Sequence, residues 1–349
     1  SSNLVQSTYN AVDMLFVGRF TGTESLAAVS VCGPILNVMI ITLSGMSAGV
    51  LVVISGLLGA GDIKQAQDAA HTSVALYALM AAVMTVLGLL FVPQILRLVQ
   101  TPAAAMPEAK RYLYTVFAGT VFTFGYNLIG ALQRGLGNAA ASMSFVIISS
   151  AANIALDAVF IVWLGMGAFG AALGTVLSQV AAFVIGTVQF ARGGAALRLS
   201  ARAVRFHKKH LKNILLFGVP TALNEVMVNL AMLTVSGVAN SFGLASSAAY
   251  GVGSRINSLA ICTDGAMNQT MSAYASQNIG AGRQKRALEG LWKAIILSAG
   301  AALGTSLLVL GFASEFSACF DSDPAVIEQS AAFLRVTVWS YPLFATVGP

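Results

Sequence analysis

A chain of 349 residues that is 57% hydrophobic and only 9% charged, with a mean hydropathy of +0.80, lacks the polar surface of a water-soluble domain, in which about a quarter of residues are charged. The net charge of +6 suggests a nucleic-acid partner only until its placement is read, and that placement follows membrane topology instead. Three widely spaced cysteines, Cys32, Cys262 and Cys319, exclude a disulfide framework and a thiolate metal site.

The chain opens Ser1-Ser2-Asn3 with no charged n-region or cleavage site, so no signal peptide is visible and the first helix is expected to be already under way. Stretches without Asp, Glu, Lys or Arg run from Ser25 to Gly61, Thr72 to Leu96, Tyr112 to Gln133, Ala158 to Ala191, Val226 to Ser254 and Ala294 to Ser314. Each is longer than the roughly 20 apolar residues that cross hydrocarbon as a helix. They are continuous rather than alternating, which excludes a transmembrane barrel. Gly-rich junctions and charges divide the chain into ten predicted helices at 3 to 19, 25 to 58, 64 to 98, 106 to 134, 140 to 164, 168 to 191, 212 to 241, 246 to 279, 284 to 313 and 325 to 348. The second is longer than a bilayer is thick, with Gly33-Pro34 and the run from Gly45 to Gly49 as expected bend points.

Between the sixth and seventh predicted helices lie Arg192, Arg198, Arg202, Arg205, Lys208, Lys209 and Lys212 with no acidic residue. The positive-inside rule places this loop in the cytoplasm. Alternation then puts the junctions at Lys64, Arg134 and Arg283 to Arg286 inside, and the loops at Thr21, Pro102, Gly167, Gly243 and Asp321 outside, with Arg19 and Lys110-Arg111 as minority charges there. The basic loop reads first as an orientation signal, with contact to anionic lipid as the secondary reading.

A shift of 221 residues superposes Gly59-Ala60-Gly61 on Gly280-Ala281-Gly282, Lys64 on Lys285, Ser55 on Ser276, Phe91 on Phe312 and Tyr112-Leu113 on Phe333-Leu334. Six helices, an even number, separate the copies, so both have the same orientation. The expected fold is all-α and polytopic, two parallel-repeat six-helix bundles of the kind found in secondary transporters. The expected division is an N-terminal lobe at 1–191, a basic linker at 192–211 and a C-terminal lobe at 212–349. The second copy holds four helices, and by its own symmetry two more are expected after Pro349.

Several motifs now resemble one family. YNAVDMLFVGRFTG followed by LAAVS, the junctions GLLGAG and SQNIGAGR, and then ALQRGLGNAAASM, NIALDAVFI and GVPTALNE are similar, in type and order, to those of MATE (multidrug and toxic compound extrusion) transporters. The resemblance implies two bundles enclosing a V-shaped cleft with alternating outward and inward access, no cofactor, and no enzymatic activity. It also implies export of organic cations or toxic metabolites by antiport with H⁺ or Na⁺. The expected setting is a bacterial inner membrane, with the protein a monomer.

Ionisable groups within a membrane are costly and mark function. Asp13 lies on the first predicted helix with Tyr9 one turn earlier, and Asn153 stands in the same i, i+4 relation to Asp157 on the fifth. A carboxylate among apolar neighbours gains proton affinity by desolvation, or binds Na⁺ where other oxygens converge. In the MATE branch that this chain most resembles, an acid on the first helix, an Asn and an Asp on the fifth and a Thr on the sixth form a cation site. Those roles fall on Asp13, Asn153, Asp157 and Thr175, with Asp13 and Asp157 as Na⁺ ligands if the coupling ion is sodium. The competing reading of Asn153 and Thr175 is a plain interhelical hydrogen bond.

Glu225 follows Gly218-Val219-Pro220 in a pattern similar to the acidic seventh-helix position of another MATE branch, which makes it a possible second ion or substrate site. That branch also uses an acid on the tenth helix, where this chain offers Arg335. Arg255, Asp264 and Arg335 are read as structural pairing groups, and Glu289 with Lys293 as an i, i+4 support pair. Met14, Met39, Met227 and Met232 are candidates for lining a cleft. No G-x-x-x-x-G-K-[ST] loop is present, which excludes a resident ATPase. His71 is isolated and His207 and His210 sit in or beside the basic loop, so none supports a catalytic or metal cluster. A flippase for a lipid or lipid-linked sugar is the transporter alternative; its cleft would be expected to carry several Arg or Lys for a pyrophosphate, whereas this N-terminal lobe is acidic at its core. A membrane-embedded enzyme or a scaffold is the remote one.

Overall fold

A computed structural model describes Phe16, Thr21 and residues 23 to 193, 197 to 320 and 323 to 347, with backbone alone at 23, 201, 244, 259, 261 to 264 and 347. The first predicted helix, and with it Tyr9, Asp13 and Met14, lies outside the described residues. The described fold is all-helical with no strand. Its α-helices are α1 (Thr23–Gly59), α2 (Ile63–Leu98), α3 (Met106–Gly135), α4 (Ala139–Asp157), α5 (Gly167–Arg192), α6 (Lys208–Ser241), α7 (Leu244–Gly280), α8 (Gln284–Ala318), α9 (Pro324–Thr337) and α10 (Tyr341–Val347). Seven of these, α1 to α6 and α8, are long and apolar enough to cross a membrane.

The two Gly-Ala-Gly junctions carry the repeat into backbone geometry. After α1, Gly61 takes φ +73° while the Gly61 and Asp62 N–H groups donate to the carbonyls of Leu58 and Leu57. After α7, Gly282 takes φ +71° while the Gly282 and Arg283 N–H groups donate to Ile279 and Asn278. Every one of these positions is related by the same shift of 221, and α1 and α7 are both 37 residues long. A left-handed residue closing a helix favours glycine, and although Gln100 takes φ +54° after α2, both junctions of the repeat keep glycine at this position.

The chain divides into two compact units, one ending at Leu223 and one beginning at Asn224. The boundary therefore falls within α6, whose first half packs with the first unit. In that unit α3 is central, against α1, α2 and α5, and small residues set the approach. A Cβ at Gly88 would strike the Phe117 ring, one at Gly119 would strike Val176, and one at Gly125 would strike Phe183. Gly45 and Gly49 of α1 admit α6 in the same way: a Cβ at Gly49 would lie against the Ile214 carbonyl and 2.9 Å from the Gly218 nitrogen. α1 runs as α-helix through Pro34 and these glycines, and at about 55 Å it exceeds the hydrocarbon thickness. Met39 is buried in the core with Leu43, Met46, Tyr77 and Phe124, which removes it as a cleft-lining residue.

The second unit packs α7, α8, α9 and α10 around Ala249, Val252, Ile256, Val309, Leu334 and Tyr341. Gly253 receives the Phe333 ring, and Ser317 donates to Ser330 across 3.1 Å. The predicted helix at 325 to 348 is two helices, split by a 3-10 turn at Val338–Ser340. Pro342 supplies the cause, because it removes an N–H and its ring clashes with the carbonyl four residues back. α8 runs five residues past its predicted end and carries a non-helical Phe312 (φ −123°, ψ 24°). Glu289 and Lys293 are both exposed and, among the described residues, do not form the expected ion pair. Solvated pairs of this kind gain little from contact.

Candidate functional site

In the first unit an amide and a carboxyl side chain are enclosed near the end of α4. Asn153 is 1% exposed and Asp157 is fully buried. The α-helix ends at Asp157, and the next six residues, Ala158–Trp163, form a π-helical segment, closed by Leu164 donating to Val159 and Met166 donating to Phe160. Such wide turns are rare and recur at functional sites. Gly165 and Gly167, at φ +62° and +58°, then reverse the chain into α5.

α5 returns along this surface with glycines where it meets the site. A Cβ at Gly170 would come within 3.1 Å of the Phe160 carbonyl, and one at Gly174 would collide with Asp157 Oδ1. Two glycines one turn apart thus seat the π segment and the carboxylate against bare backbone. Ser149 Oγ donates to the Ser178 carbonyl at 2.7 Å, and Ser178 Oγ to the Thr175 carbonyl at 2.8 Å, fixing the two helices in register. Thr175, half-buried, directly follows the glycine at Asp157, so α4 and α5 bring Asn153, Asp157 and the Thr175 backbone to one place.

Neither the oxygen nor the nitrogen of the Asn153 amide has a hydrogen-bond partner among the described residues. Leaving such a group buried and unsatisfied costs about 1 to 3 kcal/mol. A buried amide oxygen one helical turn from a buried carboxylate is a donor set that suits H⁺ or a hard cation such as Na⁺.

One polar pair nearby carries no sequence signal. Thr123 Oγ1 of α3 donates to Gln179 Oε1 of α5, and Asn127 donates to the Thr123 carbonyl at 2.8 Å. These are neutral residues on apolar helices with no motif, and only the packing of α3 on α5 pairs them.

Glu225 belongs to the second unit, half-buried on α6. Asn229 donates to its carbonyl, and among the described residues its carboxylate forms no ion pair. Arg255 and Arg335 are exposed and likewise without an ion pair among the described residues, and the Asp264 side chain lies outside them. Met227 and Met232 are exposed. His71 is not isolated: its Nε2 accepts from the Ser200 N–H of the basic linker at 3.4 Å.

The MatE family model matches residues 1–159 and 220–348. Over 98% of its length the chain is 29% identical to the "Probable multidrug resistance protein YoeA" of Bacillus subtilis (strain 168), covering 76% of that protein. It is 26% identical over 97% of its length to the "Probable multidrug resistance protein YpnP" of the same strain, again covering 76%. Among solved structures, "Crystal structure of MATE in complex with MaD3S" superposes with a TM-score of 0.91 at 25% identity, over 99% of this chain and 77% of that one.

Proposed function

The chain belongs to the MatE family, and we propose that it exports organic cations by antiport, with H⁺ or Na⁺ binding at Asp157 and Asn153 together with Asp13. The protein is an integral membrane efflux transporter rather than an enzyme. The observation that carries the coupling proposal is the enclosed Asn153 and Asp157 pair, seated on Gly174 at the start of a π segment. Thr175 and Tyr9 would complete the oxygen set, and Glu225 would serve as a second ion or substrate contact.

In this reading the outward-open state loads the ion on Asp13 and Asp157 together, and interacting carboxylates titrate as a unit. Loading neutralises a buried charge and favours the conformer that lets the organic cation leave. Thermodynamic linkage requires that substrate weaken ion binding by the same factor. The basic linker faces the cytoplasm of a bacterial inner membrane, and the transporter works as a monomer.

The test uses the full-length protein in proteoliposomes loaded with a fluorescent organic cation, under a Na⁺ gradient, a pH gradient or neither. Efflux that follows one gradient and disappears in Asp13→Asn is expected, and it names the ion. Absence of efflux under both gradients would overturn the antiport proposal and shift the assignment to a lipid-linked substrate.

A further inference from the structure

All three histidines of the chain meet at one end of α2: His71 on that helix, His207 at the end of the linker, and His210 on the first turn of α6. The linker lies along α2 through a set of side-chain hydrogen bonds. The Arg198 N–H donates to Gln67 Oε1 at 2.7 Å, and the Gln67 amide donates back to the Arg198 carbonyl. Leu197, 2% exposed, is buried in the core beside this bracket.

The hydrogen-bond partners fix the ring protons. His71 Nε2 faces two donors, the Gln67 amide at 3.1 Å and the Ser200 N–H at 3.4 Å, so it carries no proton. The single Thr72 hydroxyl proton goes to the Asp68 carbonyl at 2.8 Å. Thr72 Oγ1 must then accept from both the N–H and Nδ1 of His207, each at 3.2 Å. That leaves His207 Nε2 bare, to accept from Arg205 Nε at 3.0 Å. Both rings are therefore neutral with the proton on Nδ1, and each holds the linker through an unprotonated Nε2.

A proton added to either ring places a donor against donors. At His71 it opposes Gln67 and Ser200, and at His207 it opposes the Arg205 guanidinium. Asp68 Oδ1, 3.7 Å from His207 Nε2, is placed to capture the charged ring in place of Arg205. The other charged groups on the elements packed here are Asp62 and Lys64 at the start of α2, Arg198, Arg202 and Arg205 on the linker, and Lys208, Lys209 and Lys212 on α6. Asp62 caps α2 and is engaged by Gln65, whose backbone and side-chain N–H groups hold its carboxyl below the ordinary range, while Lys209 Nζ bonds Gln65 Oε1 at 2.9 Å. His210 packs edge-on to His207 at 5.9 Å, with its Nδ1 lacking a hydrogen-bond partner among the described residues.

We propose that His71 and His207 form a proton-binding site, separate from the Asn153 and Asp157 region, that docks residues 198 to 205 onto α2 while both rings are neutral and releases them on protonation. The Asp68 capture keeps the start of α6 anchored, so release is confined to the linker. Imidazole changes charge between about pH 5 and 8, so the device responds to the pH on the linker side of the membrane.

The full-length protein in nanodiscs, carrying a spin label at Arg202→Cys in a background without native cysteines, reads the dock directly. Arg202 is exposed, so the label does not disturb the contacts. The immobilised component of the spectrum should be lost as the pH is lowered, and should persist in the double variant His71→Gln/His207→Gln, where the amide oxygen accepts but does not titrate. Mobility that ignores pH, or that changes equally in the double variant, would overturn the proposal. Should the double variant fail to fold, ¹⁵N spectra of the wild-type rings decide: Nδ1–H tautomers for two histidines at about pH 8 are required, and Nε2–H tautomers at those residues contradict the assignment. Neither readout depends on transport.

Discussion

Asp157→Asn in the full-length protein should reach the membrane and fold, yet lose gradient-driven efflux. The variant keeps the shape of a fully buried side chain and removes only its ability to change charge. If Asp157 served as one half of a buried structural ion pair, removing it would strand the partner at a cost of about 3 to 5 kcal/mol, and the variant would be visibly destabilised. If Asp157 is the coupling carboxylate, the loss appears elsewhere. Coupling free energies are typically about 1 to 3 kcal/mol, so in wild type the ion should change substrate affinity by about 5- to 150-fold. In Asp157→Asn that ratio should fall to about one. Substrate affinity measured in detergent with and without the ion, beside a thermal melt, separates the two cases.

Gly174→Val should abolish transport almost as completely, though it removes no polar group. The added Cβ lands on Asp157 Oδ1, so either α5 moves away from α4 or the carboxylate leaves its seat. Overpacking of this kind costs about 1 to 3 kcal/mol, and the register set by Ser149 and Ser178 resists a shift of the helices. Gly304→Ala, where a Cβ meets open space, is the matched control and should transport normally. Efflux rates and melting temperatures of the two variants check this. Normal efflux in Gly174→Val would mean that the Asp157 position is immaterial to the cycle.

Helix placement was legible because desolvating backbone in hydrocarbon forces helices, and charge-free stretches mark where hydrocarbon is. Predicted ends fell within one or two residues at 25 to 58 against Thr23–Gly59 and at 168 to 191 against Gly167–Arg192. They failed where a helix continues beyond the apolar stretch. α6 begins at Lys208 rather than 212, and α8 passes Glu315 to end at Ala318, because water solvates the charged side chains of an emerging helix without unwinding it. The repeat was legible through the Gly-Ala-Gly turn, whose positive φ favours glycine.

The candidate site was legible by residue type, since Asn153 and Asp157 stand out on an apolar helix. Its seat on Gly174 and the π segment after Asp157 were not, because both arise from how α5 packs on α4. The Thr123 and Gln179 pair and the histidine dock are of the same kind. His71 and His207 are 136 positions apart in the sequence, and only the path of the linker over α2 joins them.

The most direct test of ion-for-substrate exchange is to add an organic cation to the full-length protein in weakly buffered detergent and count the ions that leave, by pH indicator for H⁺ and by radiotracer for Na⁺. Exchange at the Asp13 and Asp157 pair predicts release of one kind of ion on substrate binding in wild type, and none in Asp13→Asn or Asp157→Asn. Substrate binding without ion release, or release that persists in both variants, would contradict it.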